Sequence, residues 1–407
     1  MNRAKRFLRY AAVGFQLIQP PHHFQPAEPA RKLEFPRDHG AHRDTAYEWW
    51  YWTGHLMAGN DGSSKNTPEI AGFQATVFRV SPPGGNLPAS GNRPENASWL
   101  VVHTGISDFQ GKTLTHRSWA TRERTVNDVM TDPVKDLEKD LVKDLMTVRV
   151  DDTRLAIEMP GLSATMPATP PDSFRLSFDL PQKIPARSPP RIEMRLTSRK
   201  PLTLHGDNGY SRKGPCPTCA SHYSSYSRLD GTFSISGVQG SLPGLPGSGS
   251  VAAWYDHEFG SQSIDPAQTG WDWFSIQLDK PAVEIMLFQV RGSDPAKTWR
   301  AGTFIDEKGN ARPVTDAEIY PEGTWKSARS KGKYPRAWTV KIPSQKLAFT
   351  VVPRFADQEV VSAGSGASVM PTYWEGACEV LDKVSNERAG RAYLEMTGYA
   401  PGSTPRF

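Results

Sequence analysis

Cysteine is scarce in this chain, with three in 407 residues. Cys216 and Cys219 stand in Cys-Pro-Thr-Cys, and Cys378 is alone. A zinc site takes about four ligands, and no second Cys-x-x-Cys or His pair lies near the first. A redox pair would be expected to open a helix after a strand, where the helix N-terminus lowers the thiolate pKa. The flanks SRKGP and ASHYSSYS read instead as loop and then strand. Two readings stay open, a local loop disulfide and two free thiols; a disulfide would suit an oxidising compartment. Long apolar runs are also missing. None reaches the roughly 20 residues of a membrane-spanning helix, which excludes a helical span and leaves room only for peripheral membrane contact. The net charge is +5 and no basic run is interleaved with aromatics, so nucleic acid is not expected as a partner. There is no P-loop, dinucleotide fingerprint, G-x-S-x-G, H-x-H or H-E-x-x-H. No cofactor and no metal is therefore expected.

What is present is aromatic and punctuated. Phe, Trp and Tyr make up 10 %, charged residues 22 %, and there are 35 Pro and 34 Gly. That composition reads as a loop-rich, all-β protein, and the length asks for two domains. Strand patterns recur at steady spacing. In AGFQATVFRV (71–80), Phe73, Ala75, Val77 and Arg79 share one face and Gln74, Thr76 and Phe78 the other. GWDWFSIQLDKPAVEIMLFQVRG reads as a hairpin turning at Asp-Lys-Pro-Ala. One stretch differs: DPVKDLEKDLVKDLMTV (132–148) sets Val134, Leu137, Leu141 and Leu145 at helical spacing, a short amphipathic helical insertion. Many short strands suggest two β-barrel domains, divided in the long loop near 205–220: residues 31–225 and 226–407. Residues 1–30 form a leader with a basic start and a short apolar patch, a degraded signal peptide. Such a leader implies a bacterial cell-envelope, periplasmic or secreted location, with the cytoplasm as the alternative.

Three clusters place ionisable groups beside aromatics. HRDTAYEWWYWTGHL (42–56) holds Glu48 and His55 around four consecutive aromatics. Alternation sends Glu48, Trp50 and Trp52 to one side of a strand and Trp49, Tyr51 and Thr53 to the other. WYDHEFGS holds Trp254, Tyr255, Asp256, His257 and Glu258; GWDWFSIQ holds Trp271, Asp272, Trp273 and Gln277. Asp256 and Glu258 share a strand face and His257 points away. Two carboxylates on one aromatic face can split their pKa values, so that one keeps its proton as a general acid. The same run also fits a structural role, accepting indole and phenol hydrogen bonds inside a barrel.

FPRDHGAHRDTAYEWWYWTGHL, GYSRKG, ASHYSSYSRLDGTFSISG, WYDHEFGSQ, GWDWFSIQLD, EIMLFQVR, YWEGACEV and GRAYLEMTGY occur in that order. From about Phe35 to Tyr399 the set resembles the AttH family, often described as predicted secreted hydrolases and related to the carotenoid 1,2-hydratases, or hydroxyneurosporene synthases. The resemblance implies two lipocalin-like β-barrels and a hydrophobic small-molecule ligand, isoprenoid or polyene-like. It implies acid-catalysed hydration or cyclisation, with Asp256 as the acid, Glu258 or His257 as its partner, and Tyr255 beside them. Trp254, Trp271 and Trp273 would face the cation. From the clusters themselves Gln277, Trp50 and, as secondary candidates, Glu48 and His55 join the ligand-binding set. A non-catalytic carrier of hydrophobic molecules and a secreted hydrolase are the alternatives.

Overall fold

The computed structural model describes residues 24–59, 67–81, 98–123, 148–180, 189–216, 218–237, 245–261, 267–361 and 371–404. Most of the leader, and all of the 132–148 helix except Val148, lie outside them. The described chain is all-β, two curled sheets that make two lipocalin-like barrels and a two-stranded ribbon, Trp325–Lys326 with Lys333–Tyr334; its helical turns are short 3-10 segments such as Arg37–His39. The first sheet has 13 strands and the second 10.

Three long strands form the centre of the first sheet. Tyr47–Ala58 is antiparallel to Glu69–Val80 on one side and to Ser248–Gly260 on the other, and Ser248–Gly260 pairs in turn with Ala220–Ser236. The second sheet is built around Gln268–Leu278, which pairs with Glu284–Gly292 across the expected hairpin and with Arg388–Met396; the latter pairs with Tyr373–Asp382. The exchange of sheets falls between Gly260 and Gln268, beyond the 225/226 division read from the loop. Ala220–Ser236 and Ser248–Gly260 follow that loop but stay hydrogen-bonded into the first sheet, because their partner is the N-terminal aromatic strand.

Alternation then sorts the side chains into three layers. Trp50, Trp52, Phe73, Ala75 and Val77 fill the core of the first barrel. Phe274, Ile276, Ile285, Val340 and Leu394 fill that of the second. The opposite faces of the two sheets meet in a third apolar layer that includes Tyr51, Tyr223, Trp254, Trp273, Phe288 and Tyr393. The approach is tight at Gly72, where an added Cβ would stand 2.6 Å from Ala377 Cβ of the second sheet. Gly72→Val therefore wedges the sheets apart. A cost of about 1–3 kcal/mol is expected from overpacking, read as a lower denaturant midpoint with an unchanged slope.

Ionic contacts also tie the sheets. Glu284 pairs with Lys200 at 2.6 Å and with Arg228. Glu69 pairs with Arg388 at 2.6 Å, with Arg391 at 2.9 Å and with His55 at 3.2 Å. Among the described residues no helix is long and apolar enough to cross a membrane.

Candidate active site between the sheets

A cavity of about 110 Å³ opens in the layer between the sheets rather than inside a barrel. Register explains its walls. On the first sheet Tyr51 stands opposite Asp256, and Asp256 opposite Ser225. One pleat along, Trp49 stands opposite Glu258, and Glu258 opposite Tyr223. On the second sheet Phe288, Trp273, Glu395 and Glu375 form one cross-strand row. Four carboxyls, from Asp256, Glu258, Glu375 and Glu395, thus share one aromatic-walled cavity with Lys213.

Asp256 is buried, with 2 % of its surface exposed. Its Oδ2 accepts a 2.6 Å hydrogen bond from the Tyr223 hydroxyl; its Oδ1 accepts from Trp254 Nε1 at 2.5 Å and from the Ser225 hydroxyl. Trp273 Nε1 in turn donates to the Tyr223 oxygen at 2.9 Å. Behind Ser225 stands His205, with Nε2 2.6 Å from Ser225 Oγ and Nδ1 2.8 Å from Thr303 Oγ1. Burial, helped by the nearby Lys213 ammonium, holds His205 down at about 3, so its ring is neutral. One tautomer satisfies the whole chain: Thr303 O–H donates to Nδ1, Nε2–H to Ser225, and Ser225 O–H to Asp256. Burial pushes the Asp256 carboxyl up to about 7, against the pull of these donors and with a further push from Glu258. A carboxyl at that value can hold a proton near neutral pH and still release it.

Glu258 is held as an ion pair. Its Oε1 accepts from Ser221 Oγ at 2.6 Å, and Lys213 Nζ donates to Oε2 at 3.1 Å. That ammonium also lies over the Tyr223 ring at 4.5 Å and the Phe288 ring at 4.4 Å. Lys213 is presented by a loop that the Cys216–Cys219 disulfide closes, with Lys213 N–H donating to Cys219 O at 2.7 Å.

On the far wall, burial pushes Glu375 up to about 7 and Glu395 above the usual carboxylate range, Glu395 also because Glu375 is its neighbour. Glu375 Oε2 accepts from Gln74 Nε2 at 2.9 Å, and the Gln74 Oε1 accepts from the Tyr393 hydroxyl at 2.7 Å.

Of the residues singled out in the sequence, Asp256, Glu258, Trp271 and Trp273 line this cavity, and Trp254 supports Asp256 from beside it. Tyr255 and His257 point to the other face, into the first barrel. There Glu48 Oε1 lies 2.7 Å from His42 Nδ1 and 2.8 Å from His257 Nε2, while His42 Nε2 lies 2.9 Å from Asp38 Oδ1. Protons bind these groups to one another. The two carboxylates outweigh burial to raise the His42 pKa, and the Glu48 carboxyl is held well below its usual range by the two imidazoles despite complete burial. Trp50 stacks on His257 at 5.2 Å and donates to His39 O at 3.1 Å. Glu48 and Trp50 are therefore core groups, because their side of the strand faces the barrel interior. His55 lies in the layer between the sheets, 3.1 Å from Ala392 O through Nε2, and does not line the cavity. Gln277 donates to Ser227 O at 2.8 Å and Ala253 O at 2.9 Å, and so ties the second sheet to the first. Lys213, Tyr223, Ser225, Glu375 and Glu395 were not singled out. A glutamate between buried aromatic and aliphatic residues, as in YWEGA and YLEMT, was the available signal for the last two.

The AttH-like family model matches residues 26–399. A crystal structure of a candidate AttH protein from Nitrosomonas europaea is 30 % identical, covering 93 % of this chain and 100 % of its own, with a TM-score of 0.70. The structure of kievitone hydratase from Nectria haematococca is 13 % identical with a TM-score of 0.56, covering 93 % of this chain and 97 % of its own. The structure of CghA with Sch210972 is 11 % identical with a TM-score of 0.51, covering 96 % and 100 %. These last two show a common fold. No curated protein matches the chain. With the family model spanning nearly all of the described core and a relative 30 % identical along almost its full length, the chain belongs to the AttH-like family.

Proposed function

We propose that the cavity between the sheets takes an apolar, alkene-bearing small molecule and protonates it from Asp256. The observation that carries this reading is a buried carboxyl with a pKa near neutrality on an aromatic wall, held by three donors. In a hydration the Asp256 proton adds to one alkene carbon and the π electrons form the new C–H bond. The cation left on the adjacent carbon is met by aromatic faces and captured by water, whose surplus proton passes to a carboxylate of the cavity. In a cyclisation a second double bond captures the cation instead, and a carboxylate removes the final proton. That one structural neighbour is named a hydratase fits this reading, as does the family relation. The isoprenoid or polyene character of the substrate is part of the proposal. So is export, which the Cys216–Cys219 disulfide supports because such bonds persist in oxidising compartments.

The test is incubation with linear isoprenoid and polyene alkenes in H2¹⁸O. A hydrated product carrying ¹⁸O, or an isomeric cyclised product, is expected. Its rate should fall about tenfold per pH unit above about pH 7 as the acid loses its proton. Alkenes bound and returned unchanged would leave a carrier in place of an enzyme. Turnover of a panel of simple esters without alkene turnover would leave a hydrolase.

A further inference from the structure

We infer that the Glu375–Glu395 wall of the cavity is a subsite for an organic cation, an ammonium carried on an apolar body. The inference deepens the proposed function, since it rests on the cavity being the ligand site, but it needs no turnover.

The two carboxyls sit side by side on paired strands and both face the cavity. Neither has a cationic partner among the described residues. Glu375 is 1 % exposed, and its Oε1 makes no hydrogen bond of ordinary geometry there, nor does the buried Tyr51 hydroxyl. The Tyr51 and Tyr373 hydroxyls stand close enough to Glu375 to favour its anion. Aromatic faces surround the pair: Trp49, Tyr51, Trp271 and Trp273 share the cavity, and Tyr51 meets Trp273 edge-on at 5.3 Å between ring centres.

The molecule already shows how such a wall handles an ammonium. On the opposite side Lys213 places its own over two aromatic rings and against Glu258. The Glu375–Glu395 wall repeats that combination of carboxylate and ring face without the lysine. A cation is attracted to both components, most strongly where water is excluded. In the proposed reaction this wall would meet the carbon cation that forms as Asp256 gives up its proton.

The groups that set the pH dependence are Glu375 and Glu395 on the second sheet, with Asp256, Glu258 and Lys213 facing them from the first. The Tyr51, Tyr223 and Tyr373 phenols stay protonated, because burial raises all three. A bound cation favours the carboxylates and so expels protons from the pair.

The probes are choline and its neutral isostere 3,3-dimethylbutan-1-ol, titrated calorimetrically into the intact protein. Choline is expected to bind about tenfold tighter at about pH 8, with the gap closing to about twofold at about pH 5. Glu375→Gln and Glu395→Gln should each remove most of that preference. Should either variant fold poorly, the wild type decides. Choline binding near pH 7 must release protons, seen as a dependence of the heat on the ionisation enthalpy of the buffer. Equal affinities for the two probes, no binding of choline, or no proton release would overturn the subsite. Failure to turn over any alkene would overturn the Asp256 reading and leave this one standing.

Discussion

Asp256→Asn is expected to lower alkene turnover by about a thousandfold, the middle of the range for losing a positioned general acid. The substitution keeps the size of the side chain but removes the proton that the reaction consumes. Three donors now converge on the carboxyl from Tyr223, Ser225 and Trp254. Two can still be accepted by the amide oxygen, so the fold should survive. The third would meet the amide NH2. Ligand binding should therefore change little beside the loss in kcat, a split that separates a lost acid from a lost pocket. The ratio of kcat between wild type and variant is the measurement. Turnover within about threefold of wild type would move the acid elsewhere in the cavity. Tyr223→Phe provides a graded companion: it deletes the hydroxyl that links Trp273 to Asp256 and leaves the ring beneath Lys213.

Glu375→Gln is expected to stabilise the protein at alkaline pH. The native carboxyl is raised from 4.5 to about 7 by burial. The folded state thus holds this proton across a window where the unfolded chain has released it. The stability that comes from the proton is fully present below about pH 4.5 and is lost as pH rises through about 7. At about pH 8 the wild type carries the cost of a buried anion, and the amide does not. The gain should be clear at that pH and close to zero at about pH 4. Denaturant unfolding at the two values checks it; a variant less stable than wild type at pH 8 would contradict the assignment. A substitution that stabilises while removing only an ionisable proton from a cavity points to a position kept for function rather than for the fold.

Alternation was the legible part of this molecule. A period of two separates Asp256 and Glu258 from Tyr255 and His257, and splits Glu48, Trp50 and Trp52 from Trp49 and Tyr51. It does not say which face meets a neighbour. Glu48 and Trp50 read as ligand groups from their place in an aromatic and ionisable cluster, yet they pack into the first barrel; Trp49 and Tyr51 hold the wall. Register is the missing quantity. Tyr51 meets Asp256 across some two hundred residues, and Glu375 joins Trp273 only through the intervening strand that carries Glu395. Such pairings depend on long-range contacts that no local pattern encodes. Lys213 was hidden for another reason. It lies in a loop, and loops are placed by what anchors them, here a disulfide and the Lys213–Cys219 backbone bond.

The cavity is a seam between two independently filled cores, not a hollow within either. Its shape therefore follows from how the two sheets face each other, and the close packing of Gly72 on Ala377 helps set their spacing. A change at Gly72 or at the Glu69 and Glu284 ties is expected to act on the spacing of the sheets and so on the space between them. The spacing of the sheets, and not only the residues that face the seam, thus decides the outline of the space around the four carboxyls.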